Sequence, residues 1–180
     1  MKLLSVTNGI KILSEIRSVF GAEIRENYEV EARPCSACPT PGICCRDEHF
    51  VNVHVSRLEA AAIAKRIDRF DERKRDEIYS RAENAISKYG LDGPGDSRTK
   101  TYACPLFEAG TGCLVHDAAK PLPCISHACY ESEKDLPPDS LLDEAEQKVF
   151  ELNRRVYGKA AAFEPLPVAV SRIRERSSNS

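Results

Sequence analysis

Apolar residues recur every three or four positions in four stretches of the chain, the spacing that lines one face of a helix. Ile10, Leu13, Ile16 and Phe20 predict a helix over residues 9–26. Ile63, Ile67 and Phe70 predict a second over 57–70, opened by a capping box of Ser56 and Glu59. Ile78, Ala82, Ala85, Ile86 and Tyr89 predict a third over 72–89, with Gly90 as its C-terminal cap. Leu142, Ala145, Val149, Leu152 and Val156 predict a fourth over 140–157, ended by Gly158. In "HFVNVHV" the period drops to two, which predicts a short strand with a valine face. Residues 31–50 are predicted irregular, because Pro34, Pro39, Pro41 and Gly42 exclude regular structure. "LDGPGDSRTK" reads as an exposed loop, and "FEAGTGC" as a hairpin turn between "YACPLF" and "CLVH". The polar end "SRIRERSSNS" is expected to fray. The pattern predicts one α+β domain over 1–180, mostly helical, with its core at about 31–157 and a partly flexible tail over 158–180.

Composition adds bounds. A chain of 180 residues with 42% hydrophobic and 30% charged residues can bury a core without covalent staples. A formal net charge of −2 gives no electrostatic case for a nucleic-acid partner. The basic stretch "KRIDRFDERKR" alternates with acids and reads as a solvated helix face. No segment is apolar enough over a sufficient length to span a membrane. In the opening residues Asn8, Lys11, Glu15 and Arg17 interrupt any apolar stretch, and no small-residue cleavage site follows. A cytoplasmic location is the expectation.

That expectation changes how the eight cysteines read. In a reducing compartment clustered cysteines point to metal ligands or redox groups rather than structural disulfides. Cys35, Cys38, Cys44 and Cys45 form C-x2-C-x5-C-C; Cys104, Cys113, Cys124 and Cys129 form C-x8-C-x10-C-x4-C. A C-x2-C turn lets two thiolates grip one ion while backbone amides donate to sulfur. Two groups of four suggest two four-thiolate sites, or one shared site with spare thiols. Neighbouring side chains diverge along a chain, so Cys44 and Cys45 are not expected to be equivalent ligands of one small ion. All eight cysteines are candidate metal ligands, drawn into an irregular knot with the helices around it.

The stretches "CSACPTPGICC", "VNVHVSRLEAAAIAKRI" and "CPLFEAGTGCLVHDAAKPLPCISHAC" resemble the YkgJ-type cysteine-cluster proteins, a family described as zinc- or iron-chelating. The resemblance covers about residues 35–130 and carries over all eight cysteines. Three positions depart from the family pattern: His116 stands where tyrosine is usual, and Lys120 and Ile125 stand where arginine is usual. The resemblance implies an iron–sulfur or zinc protein.

Both centres accept four thiolates. The single C-x2-C pair, the wide spacing of the second group and Pro34, Pro39, Pro105 and Pro123 beside the ligands favour an iron–sulfur cluster, 4Fe-4S above others, over Zn2+. His116 and His127 are possible ligands or outer-sphere donors, His49 is a weaker one, and His54 reads as structural. A Cys113–His116 nucleophile pair and an acid/base role for Asp47 and Glu48 are the catalytic alternatives. Tyr102, Phe107 and Tyr130 are expected to shield the centre and pack the core. The expected function is a metal-binding protein, iron–sulfur above others, with a redox or electron-transfer role. It would meet a protein redox or substrate partner, and neither nucleic acid nor membrane. A structural zinc interaction module is the first alternative. A metal-dependent enzyme acting on a peptide or small molecule is the second.

Overall fold

The computed structural model describes residues 3–34, 37–46 and 51–178. In chain order the elements are α1 (Val6–Asn27), β1 (His54–Val55), α2 (Arg57–Ile67), α3 (Glu72–Tyr89), β2 (Phe107–Glu108), β3 (Gly112–Cys113), α4 (His116–Ala119), α5 (Leu122–Ser126), α6 (Asp139–Tyr157), β4 (Glu164–Pro165) and α7 (Leu166–Ser178). The described chain is mostly helical with two short antiparallel strand pairs, β1 with β4 and β2 with β3. Among the described residues no helix is long and apolar enough to cross a membrane.

The chain divides into two compact units. One joins Met1–Pro41 to Lys120–Ala161; the other joins Gly42–Ala119 to Ala162–Ser180. In the first, α1 packs against α5 and α6. Ser5 caps α1 by accepting the Asn8 N–H at 3.2 Å, and Leu13, Phe20 and Ile24 form its buried face. Val149, Leu152 and Val156 are the matching buried positions of α6. Gly158, at φ 77, ends α6 in the left-handed conformation that glycine adopts without steric cost.

In the second unit α7 packs against both α2 and α3. The predicted capping box is present: the Ser56 hydroxyl accepts the Glu59 N–H at 3.2 Å and the Glu59 carboxylate accepts the Ser56 N–H at 2.9 Å. The third predicted helix matches α3 residue for residue, with Gly90 capping at φ 61. Three expectations need correction. α2 stops at Ile67, and Phe70 is half-buried with the Arg66 guanidinium 5.2 Å from its ring centre. The strand shrinks to His54–Val55; Val51 and Val55 are buried as expected, but His54 is buried too and Val53 only half-buried, so burial does not alternate. The expected frayed tail is α7: Leu166, Val168, Ala169 and Val170 are buried, and Arg174 lies 4.6 Å over the Tyr79 ring while pairing with Asp76 at 3.0 Å. An apolar run of four residues anchors a helix whose outer turns are polar.

A candidate metal centre in each unit

The boundary between the units falls between Pro41 and Gly42, inside the first cysteine stretch, and again between Ala119 and Lys120, inside the second. Described cysteines therefore group by unit, not by stretch. Cys44, Cys45, Cys104 and Cys113 belong to one; Cys38, Cys124 and Cys129 belong to the other. Cys35 lies outside the described residues, as do Asp47, Glu48 and His49. The seven described cysteines are thiols, each partly buried.

The first set is assembled by backbone. Gly42, at φ 80, opens a 3-10 turn over Ile43–Cys45, closed by the Cys45 N–H donating to the Gly42 carbonyl at 2.9 Å. A Cβ at Gly42 would collide with the Phe107 ring, so only glycine fits there. The Cys104 N–H donates to the Cys45 carbonyl at 2.9 Å and ties the two distant stretches together. The β2–β3 hairpin then places Cys113 across from Phe107, with Gly110 and Gly112 at φ 79 and 92 in and beside its turn. Tyr102 is buried and its hydroxyl donates to the Val53 carbonyl at 2.5 Å.

The thiols in this set act on one another. Burial pushes the Cys45 thiol strongly up, and Cys104, Cys44 and Cys113 push it further. Burial likewise pushes Cys104 up to about 12, with Cys113 adding to the effect. The backbone N–H groups of Leu106 and Phe107 work in the other direction, donating to the Cys104 sulfur from the turn that follows it. That is the amide-to-sulfur arrangement that supports a thiolate ligand. Cys44 and Cys45 were expected to diverge, yet their thiols hydrogen-bond within the tight 3-10 turn. These raised thiols are the opposite of an activated nucleophile, which needs a depressed pKa.

The set holding Cys38, Cys124 and Cys129 is more open. Arg33 bridges to Cys129, its N–H donating to the Cys129 carbonyl at 2.9 Å, and just before Cys38 the Ala37 N–H donates to the Pro34 carbonyl at 2.9 Å. Cys124 sits in the short α5, where its N–H donates to the Pro121 carbonyl at 3.0 Å. Ile125 lies within van der Waals reach of a Cβ built on Gly21 of α1. A cavity of about 340 Å³ is lined by Arg33, Cys38, Pro39, Cys129, Tyr130 and Glu131, with the Arg33–Glu131 ion pair at 3.0 Å on its wall.

Histidine contributes differently from cysteine. His116 begins α4 and His127 ends α5; both are exposed. His54 is buried, its Nε2 3.0 Å from the Ser97 hydroxyl, and burial lowers its pKa.

No family model, no curated protein and no solved structure matches this chain. Among the described residues no three of His, Cys, Asp and Glu already stand in a cage around a point. The donor set nonetheless fits a thiophilic metal. Cys44, Cys45, Cys104 and Cys113 are soft ligands near enough to raise one another's pKa, and backbone amides donate to the Cys104 sulfur. Arg81 of α3 is half-buried, and among the described residues its Nε and Nη2 are out of solvent with no hydrogen-bond partner. Sequence reading missed it; its only signal is its place on α3, three residues after the buried Ile78.

Proposed function

We propose that this chain is a metal-binding protein related to the YkgJ-type cysteine-cluster family, with one cysteine centre in each unit. Cys44, Cys45, Cys104 and Cys113 would hold one. Cys38, Cys124 and Cys129, joined by Cys35 on the strength of its C-x2-C spacing, would hold the other. The supporting observation is the Cys45–Cys104 backbone hydrogen bond at 2.9 Å, which draws thiols nearly sixty positions apart into one neighbourhood. The preferred occupant is an iron–sulfur cluster, 4Fe-4S above others, which would supply one-electron transfer. Zn2+ in the same thiolates is the alternative occupant.

In this reading the polypeptide holds the sulfurs through tight turns, donates amides to them and screens one set from water with Phe107 and Tyr102. Iron–sulfur function further implies a protein redox partner and a reducing, cytoplasmic setting. The cavity beside Cys38 and Cys129 is the natural approach for such a partner, because it leaves one cysteine set reachable. Anaerobic isolation followed by elemental analysis and visible absorption tests the reading. Stoichiometric iron and sulfide with a brown colour is the expected result. Stoichiometric zinc without colour selects the alternative, and absence of either metal overturns the proposal.

A further inference from the structure

A strap of chain lies against β1. Residues 92–99 are exposed except for Ser97, which opens a 3-10 turn over Ser97–Thr99. Two side chains from residues 52–54 hold it. The Ser97 hydroxyl lies 3.0 Å from Nε2 of His54, and the Asn52 side-chain amide donates to the Arg98 carbonyl. Lys100 Nζ fixes the base of the loop by donating to the Gly90 carbonyl at 2.6 Å. Just beyond, the Tyr102 N–H donates to the Val51 carbonyl at 3.2 Å.

His54 is buried, and its partners dictate which ring nitrogen carries the hydrogen. Nδ1 faces the Asn52 carbonyl at 3.4 Å, and a carbonyl only accepts, so Nδ1 is the donor. Nε2 is then bare and accepts the Ser97 hydroxyl. A second proton has to go onto Nε2, where it removes that acceptor and places a charge in a buried site. Of the charged groups acting on the ring, Arg98 opposes the proton and Asp96 favours it; burial outweighs Asp96, so the pKa is lowered. The neighbouring elements bring no free compensating carboxylate among the described residues. Glu164 of β4 is held by Arg172 of α7, and Arg174 of α7 by Asp76.

We propose that Ser97–Lys100 is an acid-sensitive strap: neutral His54 latches it to β1, and a proton on His54 releases it while the helices of the same unit stay folded. The device is independent of what the cysteines hold. The latched ring binds its proton less tightly than the released ring, which meets water. Latching is therefore fully present above the ordinary histidine value near 6.5 and is lost as pH falls toward the latched value. One linked proton changes the opening equilibrium by up to about tenfold per pH unit across that window.

Native-state hydrogen exchange on the full chain tests this, read at the Lys100 and Tyr102 amides from about pH 8 to 5 and corrected for the intrinsic pH dependence of exchange. Opening at these amides is expected to rise by up to about tenfold per pH unit below 6.5, while the amides of Ile78 and Ala82 in α3 keep their protection. His54→Gln, neutral at every pH and able to offer Ser97 an amide, should flatten the profile. Ser97→Ala should raise opening about two- to tenfold at neutral pH, the range for one hydrogen bond, and keep the slope. A flat wild-type profile overturns the proposal, as does an unchanged slope in His54→Gln. Loss of α3 protection in step with the strap also overturns it, since the unit would then open as a whole. If His54→Gln does not fold, titration of the wild-type ring by NMR decides: a ring that titrates below 6.5 supports the strap, and one at or above 6.5 overturns it.

Discussion

The two cysteine sets are built from the same kind of material and closed in different ways. Around Cys45 and Cys104 the chain supplies a glycine turn, a hairpin, an aromatic ring and a helix-borne arginine, and burial holds both thiols protonated. Around Cys38 and Cys129 it supplies a single backbone bridge, an exposed ion pair and a cavity of about 340 Å³. Enclosure favours retention of a metal, since it excludes water and fixes ligand direction; openness favours access by a partner. Under the proposed metal-binding reading the two sets would divide storage of charge from its exchange, and perturbing each unit in turn tests that division.

The largest expected effect comes from deleting residues 166–180. Leu166, Val168 and Val170 are buried, and at roughly 1.5–3 kcal/mol each their loss approaches the whole stability of an ordinary domain. The unit holding Cys45 should unfold, while α1 and α6 remain helical by hydrogen exchange; full retention of both units contradicts the assignment of α7. Next is Gly42→Ala. A positive φ and collision with the Phe107 ring should together cost about 2–5 kcal/mol in denaturant unfolding. Gly110→Ala has a similar φ of 79 but open space, and should cost only about 1–2 kcal/mol. Equal costs at the two glycines would remove the steric lock from the account.

A pH experiment sharpens the same comparison. His54 is buried with a lowered pKa, so the unfolded chain binds its proton more readily than the folded one. Stability is then fully present above the ordinary histidine value near 6.5 and falls as pH drops toward the folded value. His54→Asn should flatten that acid limb in chemical denaturation monitored between pH 7 and the acid range; an unchanged slope shows that other groups set it. The smallest effect belongs to Arg33→Ala. Its partner Glu131 is exposed, and an exposed pair contributes about 0–1 kcal/mol. Melting should barely move, and a large loss would mean the cavity wall carries structure.

Helices were legible where burial is one-sided and periodic. Ile78, Ala82 and Ala85 announce α3, and Ser56 with Glu59 announces the start of α2. The last helix was not, because Pro165 and Pro167 break the period and the outer turns are nearly all polar, leaving only the short run at Leu166–Val170. Candidate ligand identity was legible in cysteine spacing, but their grouping was not. Sequence proximity links Cys38 to Cys44, whereas backbone hydrogen bonding links Cys45 to Cys104. Arg81 was illegible for a related reason: nothing local distinguishes it from Arg73 or Arg75, and only the hairpin folded against α3 leaves its nitrogens without a partner.

The most direct test of this grouping is thiol footprinting of the anaerobically isolated, metal-loaded chain during stepwise chelation, read by mass spectrometry. Cys45 and Cys104 should become reactive together in one step, and Cys38 and Cys129 together in another. Joint release of Cys38 with Cys45, or alkylation of all eight cysteines at the metal-free rate before any chelator is added, would contradict it.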